Sequence, residues 1–197
     1  LTGDNILFSN DAFGQHYASS SLFNDGADPR VLLYEAMKYY ANILAPFSDQ
    51  VRRKLDEIAA LNLPFDLIAP SHGLIWRENP MQIVEKYSQW CRAYQENQVT
   101  IVYDTMYNGT RALAESIAEG LLAADKALTV KLFNISKSDF NDVLTEVFRS
   151  KALLAGSPTI ARGVLYAMAG FLYLVKEMKL KGKYAAAFGC HGWSGEG

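Results

Sequence analysis

The segment Asp104-Thr105-Met106-Tyr107-Asn108-Gly109-Thr110 is rich in hydroxyls and small residues, and it lies between a β-branched run and a helical pattern. Backbone N–H groups at a helix N-terminus, with the positive end of the helix dipole, suit a phosphate, and Thr105 and Thr110 can add hydroxyl donors. The segment has neither GxGxxG nor a Walker lysine, which disfavours a dinucleotide or a nucleoside triphosphate. The competing use is an ordinary β–α turn in which Asn108 and Thr110 satisfy orphan helix amides. Two more loops follow apolar runs, Gly156-Ser157-Pro158-Thr159-Ile160 and Gly189-Cys190-His191-Gly192-Trp193-Ser194-Gly195. They offer backbone donors and acceptors to a flat ring. His191 or Trp193 can border such a ring or pack on loop backbone.

Positioning these loops requires strands behind them. Residues 99–103, 128–133, 152–156 and 184–188 read as short apolar strands, and they alternate with helical patterns over 110–123, from Ser138-Asp139 to about 150, and over 164–178. Continuous apolar strands alternating with helices are expected of a parallel sheet covered on both faces. In such sheets ligands bind outside the carboxyl ends of the strands, where strand order reverses, so the three loops are expected on one edge.

Upstream, residues 5–9 and 65–69 read as buried strands that end in Ser9-Asn10-Asp11 and Pro70-Ser71-His72-Gly73. A helical repeat of Leu32, Leu33, Ala36, Tyr39, Tyr40, Ile43 and Leu44 runs up to Pro46. Ser48 is placed as the N-cap of a second helix carrying Val51, Leu55 and Ile58. A third helix from Asn79-Pro80 to about Cys91 turns Ile83, Val84, Tyr87 and Trp90 inward. The polar run Gln95-Glu96-Asn97-Gln98 breaks the pattern, which divides the chain into a domain over 1–96 and another over 97–197.

Composition narrows the function classes. Half of the 197 residues are hydrophobic, enough for a real core, while 19 basic against 21 acidic side chains leave a formal charge of −2. That balance disfavours a nucleic-acid footprint or a polybasic membrane surface. No apolar stretch reaches the roughly 18–20 residues of a membrane span, and no leader-like pattern opens the chain, so a soluble intracellular protein is expected. Cys91 and Cys190, 99 positions apart, have no CxxC spacing and are expected to be reduced thiols. A start without Met and a finish in a glycine-rich run suggest an interior piece of a longer chain.

The three loops resemble those of a flavodoxin-like FMN domain. Together with them, Leu7-Phe8-Ser9-Asn10-Asp11-Ala12-Phe13-Gly14-Gln15-His16, Ala69-Pro70-Ser71-His72-Gly73-Leu74-Ile75-Trp76-Arg77 and Tyr103-Asp104-Thr105-Met106 are similar to flavodiiron proteins, the rubredoxin-dependent oxygen reductases and flavorubredoxin nitric oxide reductases. The resemblance covers essentially the whole chain. It implies an α/β architecture: the C-terminal part of a metallo-β-lactamase-like αββα domain over 1–96, then a flavodoxin-like open parallel sheet over 97–197, short of its last strand and helix.

For the sites, the resemblance implies FMN on Thr105, Met106, Tyr107, Asn108, Gly109 and Thr110, on Ser157, Pro158, Thr159 and Ile160, and on Gly189, Cys190, His191, Gly192, Trp193, Ser194 and Gly195. Tyr107 departs from the family, which usually has a small hydroxyl residue there. Two non-haem irons are implied, with Asp11 matching a bridging carboxylate and His72 a terminal ligand. The other ligands would precede Leu1, and His16 and His191 match no ligand position. By themselves, an Asp and a His 61 positions apart would not signal a metal site. Tyr39 and Tyr40 can face such a pocket or pack in the core.

The function so implied is electron transfer from a rubredoxin or similar carrier through FMN to the di-iron centre, where dioxygen is reduced to water or nitric oxide to nitrous oxide. A cytoplasmic head-to-tail homodimer, or a dimer of dimers, goes with it. The alternative is a flavodoxin-like electron-transfer module beside a scaffold domain without metal.

Overall fold

The computed structural model describes residues 3–192 and 195. Trp193 and Ser194, both assigned to the third loop above, lie outside the described residues. The chain divides into two compact units, Leu1–Tyr94 and Gln95–Gly197.

In the first unit, β1 (Ile6–Asn10) and β2 (Leu67–Pro70) pair in parallel, Ile6 opposite Leu67 and Leu7 opposite Ile68. Between them run α1 (Pro29–Tyr39) and α2 (Ser48–Ala60), and α3 (Met81–Trp90) follows. Asp28 starts α1 by accepting hydrogen bonds from the N–H groups of Arg30 and Val31. This is the capping that frees a helix start from unpaired donors. The expected continuation of α1 to Pro46 instead loosens into a π-helical turn, Tyr40–Leu44, and a 3-10 turn, Ala45–Phe47. Ser48 is not the cap of α2. It lies inside the helix, its hydroxyl donating back to the Ala45 carbonyl (2.8 Å) and bonded to Tyr40 Oη (2.8 Å). The hydroxyl is turned back toward Ala45 and Tyr40 and so away from the amides ahead of it. The core is aromatic: Tyr40, Tyr87 and Trp90 are buried with ring centroids 5.0–5.6 Å apart, in the range of tilted and edge contacts.

The second unit is a four-stranded parallel sheet in the order β4-β3-β5-β6. Its elements are β3 (Glu96–Tyr103), α4 (Gly109–Ala124), β4 (Thr129–Asn134), α5 (Phe140–Arg149), β5 (Ser150–Gly156), α6 (Tyr166–Glu177) and β6 (Tyr184–Phe188). Val99, Ile101 and Tyr103 pack with Ala114, Ile117 and Leu121 of α4. The alternate residues face α5, as the two-residue period of a strand requires: Thr100 Oγ1 donates to the Glu146 carbonyl, 3.2 Å.

The polar run expected to be a break mostly belongs to β3. Gln98 is buried, and its amide donates to the carbonyl of Glu146 (3.1 Å), to Glu146 Oε2 (2.9 Å) and to Ser150 Oγ (3.1 Å). A polar residue enters a strand interior when each of its groups is satisfied there. At the other margin β6 is the edge strand, with Tyr184 exposed.

Candidate functional site

In the second unit the chain steps from β3 outward to β4, then returns past β3 to β5, so strand order reverses between β3 and β5. A crevice opens at the carboxyl ends of parallel strands at that point. Here it measures about 790 Å³, and residues of all three loops line it: Thr105, Met106, Tyr107 and Gly109 from the first, Pro158 to Arg162 from the second, and Cys190, His191 and Gly192 from the third.

Hydrogen bonds hold the loops in register. Asp104 N–H donates to the Gly156 carbonyl (2.9 Å), Ser157 N–H to that of Phe188 (3.2 Å), and Thr159 N–H to that of Cys190 (3.0 Å). The buried Asp104 carboxylate accepts from Thr105 N–H (2.9 Å) and Ser136 Oγ (2.6 Å), which fixes the start of the first loop. Gly189 permits the closest approach, since a Cβ there would lie 2.1 Å from the Ser157 carbonyl oxygen.

Two side chains of the first loop are not used in this way among the described residues. Asn108, at the N-cap of α4 with φ 65°, makes no side-chain hydrogen bond to the helix, so its side chain does not do the capping weighed above. Thr105 Oγ1 is buried and has no hydrogen-bond partner among the described residues. A buried hydroxyl without a partner is costly, so an acceptor brought in by a ligand is its natural complement.

Thr110 behaves differently from the expectation of a phosphate donor. It is fully buried, and its hydroxyl lies 3.3 Å from Cys190 Sγ. Ser157 is also engaged internally, donating to the Pro158 carbonyl (3.0 Å) and accepting from Leu165 N–H (3.0 Å). Ser157, Gly189 and Thr110 thus shape the crevice from behind, while Asn108 lines a neighbouring cleft with Arg111, Ser136 and Lys137. Tyr107 is almost fully exposed at the rim.

In the first unit, the pairing of β1 with β2 brings their following loops together. His72 Nε2 lies 3.2 Å from Asp11 Oδ1, both side chains about half exposed. Two residues that the sequence reading quoted only as parts of motifs, Gln15 and Gly73, hold this geometry. The buried Gln15 side chain accepts from Leu74 N–H (2.6 Å) and donates to the Leu74 carbonyl (3.0 Å), while Gln15 N–H donates to the His72 carbonyl (3.2 Å). Gly73, with φ +82°, leaves the space that the Gln15 side chain occupies. Nothing in the spacing of a lone glutamine could have marked this clamp.

The Tyr39 ring packs 5.0 Å from His16 and 5.8 Å from His72, and burial, followed by the nearby Asp11 charge, raises its phenol pKa above the ordinary value. Tyr40 turns instead to Ser48. Among the described residues no three His, Cys, Asp or Glu side chains cluster as a metal site would need. Asp11 and His72 alone are too few donors to hold iron.

Over nearly its whole length the chain is homologous to part of the flavorubredoxin and flavodiiron proteins. The flavodoxin family model matches residues 101–197. Over 195 residues the chain is 51% identical to an anaerobic nitric oxide reductase flavorubredoxin of Klebsiella pneumoniae subsp. pneumoniae, covering 99% of this chain and 40% of that protein. Two solved structures are also similar. The rubredoxin oxygen:oxidoreductase of Desulfovibrio gigas superposes with a TM-score of 0.94 at 33% identity, and the flavodiiron protein of Giardia intestinalis with 0.91 at 35%. Each alignment covers 98% of this chain, and 48% and 47% of those chains. The chain thus spans about two fifths of the length of the curated relatives it matches.

Proposed function

We propose that this chain binds FMN in the crevice of its second unit and belongs to an oxidoreductase that passes electrons from a rubredoxin-type donor to a di-iron site reducing dioxygen or nitric oxide. The observation that carries the FMN reading is Thr105 Oγ1, buried without a partner among the described residues at a crevice where the first turn of α4 has no side-chain cap from Asn108. Those donors suit one phosphate, and the loop lacks the glycine spacing that a pyrophosphate takes. When bound, FMN supplies the electron chemistry. The chain's own residues do the rest: the Thr105 hydroxyl and the α4 amides hold the phosphate, and the loops at 158–162 and 190–192 flank the ring. Met106 and Ile160 provide apolar cover against water.

Asp11 and His72 are proposed as two ligands of the di-iron site, in the C-terminal part of a metallo-β-lactamase-like domain. Their 3.2 Å approach supports the pairing. They would give such a site one carboxylate and one imidazole donor, and the irons would supply the chemistry on the gas. A cytoplasmic head-to-tail dimer completes the proposal, on the ground that two cofactors on separate units need one chain's flavin near another's metal.

Flavin titration of the chain tests the first part. FMN should bind, with riboflavin weaker for want of the phosphate; FAD or NAD binding as tightly as FMN would refute the assignment. Iron counting in a longer protein that contains this stretch tests the second. Asp11→Ala or His72→Ala should lower metal affinity by at least the roughly 10–100-fold typical of residues that merely support ligands. Full iron in both variants would refute the ligand roles, and a protein that binds FMN but no iron would instead be an electron-transfer module on a metal-free scaffold.

A further inference from the structure

We propose that Cys190 is the positioning residue that locks the three loops into an FMN-binding shape, and that its thiol is shielded when a phosphate-bearing flavin is seated. This rests on the FMN reading above. Cys190 joins both other loops at once. Its Sγ lies 3.3 Å from Thr110 Oγ1 in the first turn of α4, and its carbonyl accepts from Thr159 N–H at 3.0 Å. The fit is tight on the helix side, because a Cβ on Gly109 would stand 3.1 Å from the sulfur. Gly109 is therefore the residue that lets the thiol rest on the helix start.

Cys190 is only partly buried and itself lines the crevice. An independent sign that a ligand belongs there is Thr105 Oγ1 of the same crevice lining, buried and without a hydrogen-bond partner among the described residues. A phosphate held by the first-turn amides of α4 lies over Gly109 and Thr110, the two residues against which the sulfur packs. Ligand and thiol reagent then compete for one space. Cys91, by contrast, is buried in the first unit and serves as an internal reference.

The test is iodoacetamide labelling of the chain, read separately at Cys190 and Cys91 by peptide mass spectrometry, without flavin, with FMN and with riboflavin. At FMN ten times its Kd, labelling of Cys190 should slow roughly tenfold, following 1 + [L]/Kd, with Cys91 unaffected. Riboflavin at the same occupancy should protect less, since its phosphate is missing. Cys190→Ala should weaken FMN by about three- to tenfold, the scale of one neutral hydrogen bond. Cys190→Ser, which keeps a partner for Thr110, should restore the affinity. FMN that binds without slowing Cys190 labelling overturns the proposal and leaves the FMN reading standing, and so does equal affinity in the Ala and Ser variants. Absence of FMN binding to the unmutated chain overturns both. The labelling arm needs no variant, so it decides the matter even if Cys190→Ala misfolds.

Discussion

Replacing Thr105 by valine should move stability and flavin affinity in opposite directions. The substitution trades a hydroxyl for a methyl of similar shape at an atom that is buried and has no partner among the described residues. An unsatisfied buried hydroxyl costs about 1–3 kcal/mol in proteins, so removing it should stabilise the flavin-free chain by about 1 kcal/mol. For a domain of this size that is about 2–4 °C in Tm. The same hydroxyl aimed at a phosphate would make a bond to a charged acceptor, worth about 1.5–3 kcal/mol, so FMN should weaken roughly 10–150-fold. Differential scanning calorimetry without flavin and quenching of FMN fluorescence on titration measure the two halves. A lower Tm in the flavin-free variant would mean that Thr105 has a partner within the protein. Unchanged FMN affinity would remove the phosphate from this loop.

Gly189→Ala should damage the crevice from behind, because the new Cβ would meet the Ser157 carbonyl at 2.1 Å. A loss of about 1–3 kcal/mol by denaturant unfolding and weakened FMN are expected, and a neutral result would contradict the close packing of the second and third loops. Asp139 caps α5 by accepting from Asn141 N–H (2.9 Å) and Asp142 N–H (3.2 Å), so Asp139→Ala should cost about 1 kcal/mol, seen as a lower Tm. Tyr40 gives the chain an alkaline limit: burial, partly offset by its bond to Ser48, holds the phenol well above its ordinary value. Between pH 10 and that raised value the folded state keeps a proton that the unfolded chain loses, so this contribution is full below about pH 10 and stability falls as pH rises above it. In Tyr40→Phe the decline of Tm above pH 10 should be shallower, and an identical slope would place the alkaline sensitivity elsewhere.

Much of the second unit is legible in the residues because its elements are written locally. Val99 to Tyr103 forms a strand in any context that buries both faces, and the helical repeat ahead of Asp125 needs no partner to be recognised. What misled were polar residues whose satisfaction is not local. Gln98 sits in a strand because Glu146 and Ser150, far along the chain, receive its amide protons. Ser48 lies inside its helix with its hydroxyl turned back to Tyr40 and Ala45 rather than forward as a cap.

The sequence by itself determined the alternation of strands and helices, the three hydroxyl- and glycine-rich loops, and the motifs that carry the family likeness, since periodicity and turn chemistry depend on neighbours in the chain. Only the tertiary structure decided how those loops use their atoms. It turned Thr110 inward to Cys190, left the Thr105 hydroxyl at the crevice without a partner among the described residues, and through the β1–β2 pairing and the Gln15 clamp brought Asp11 within 3.2 Å of His72. Such pairings follow from strand order and from which buried polar groups find partners. Those are properties of contacts between distant residues, which no local pattern encodes.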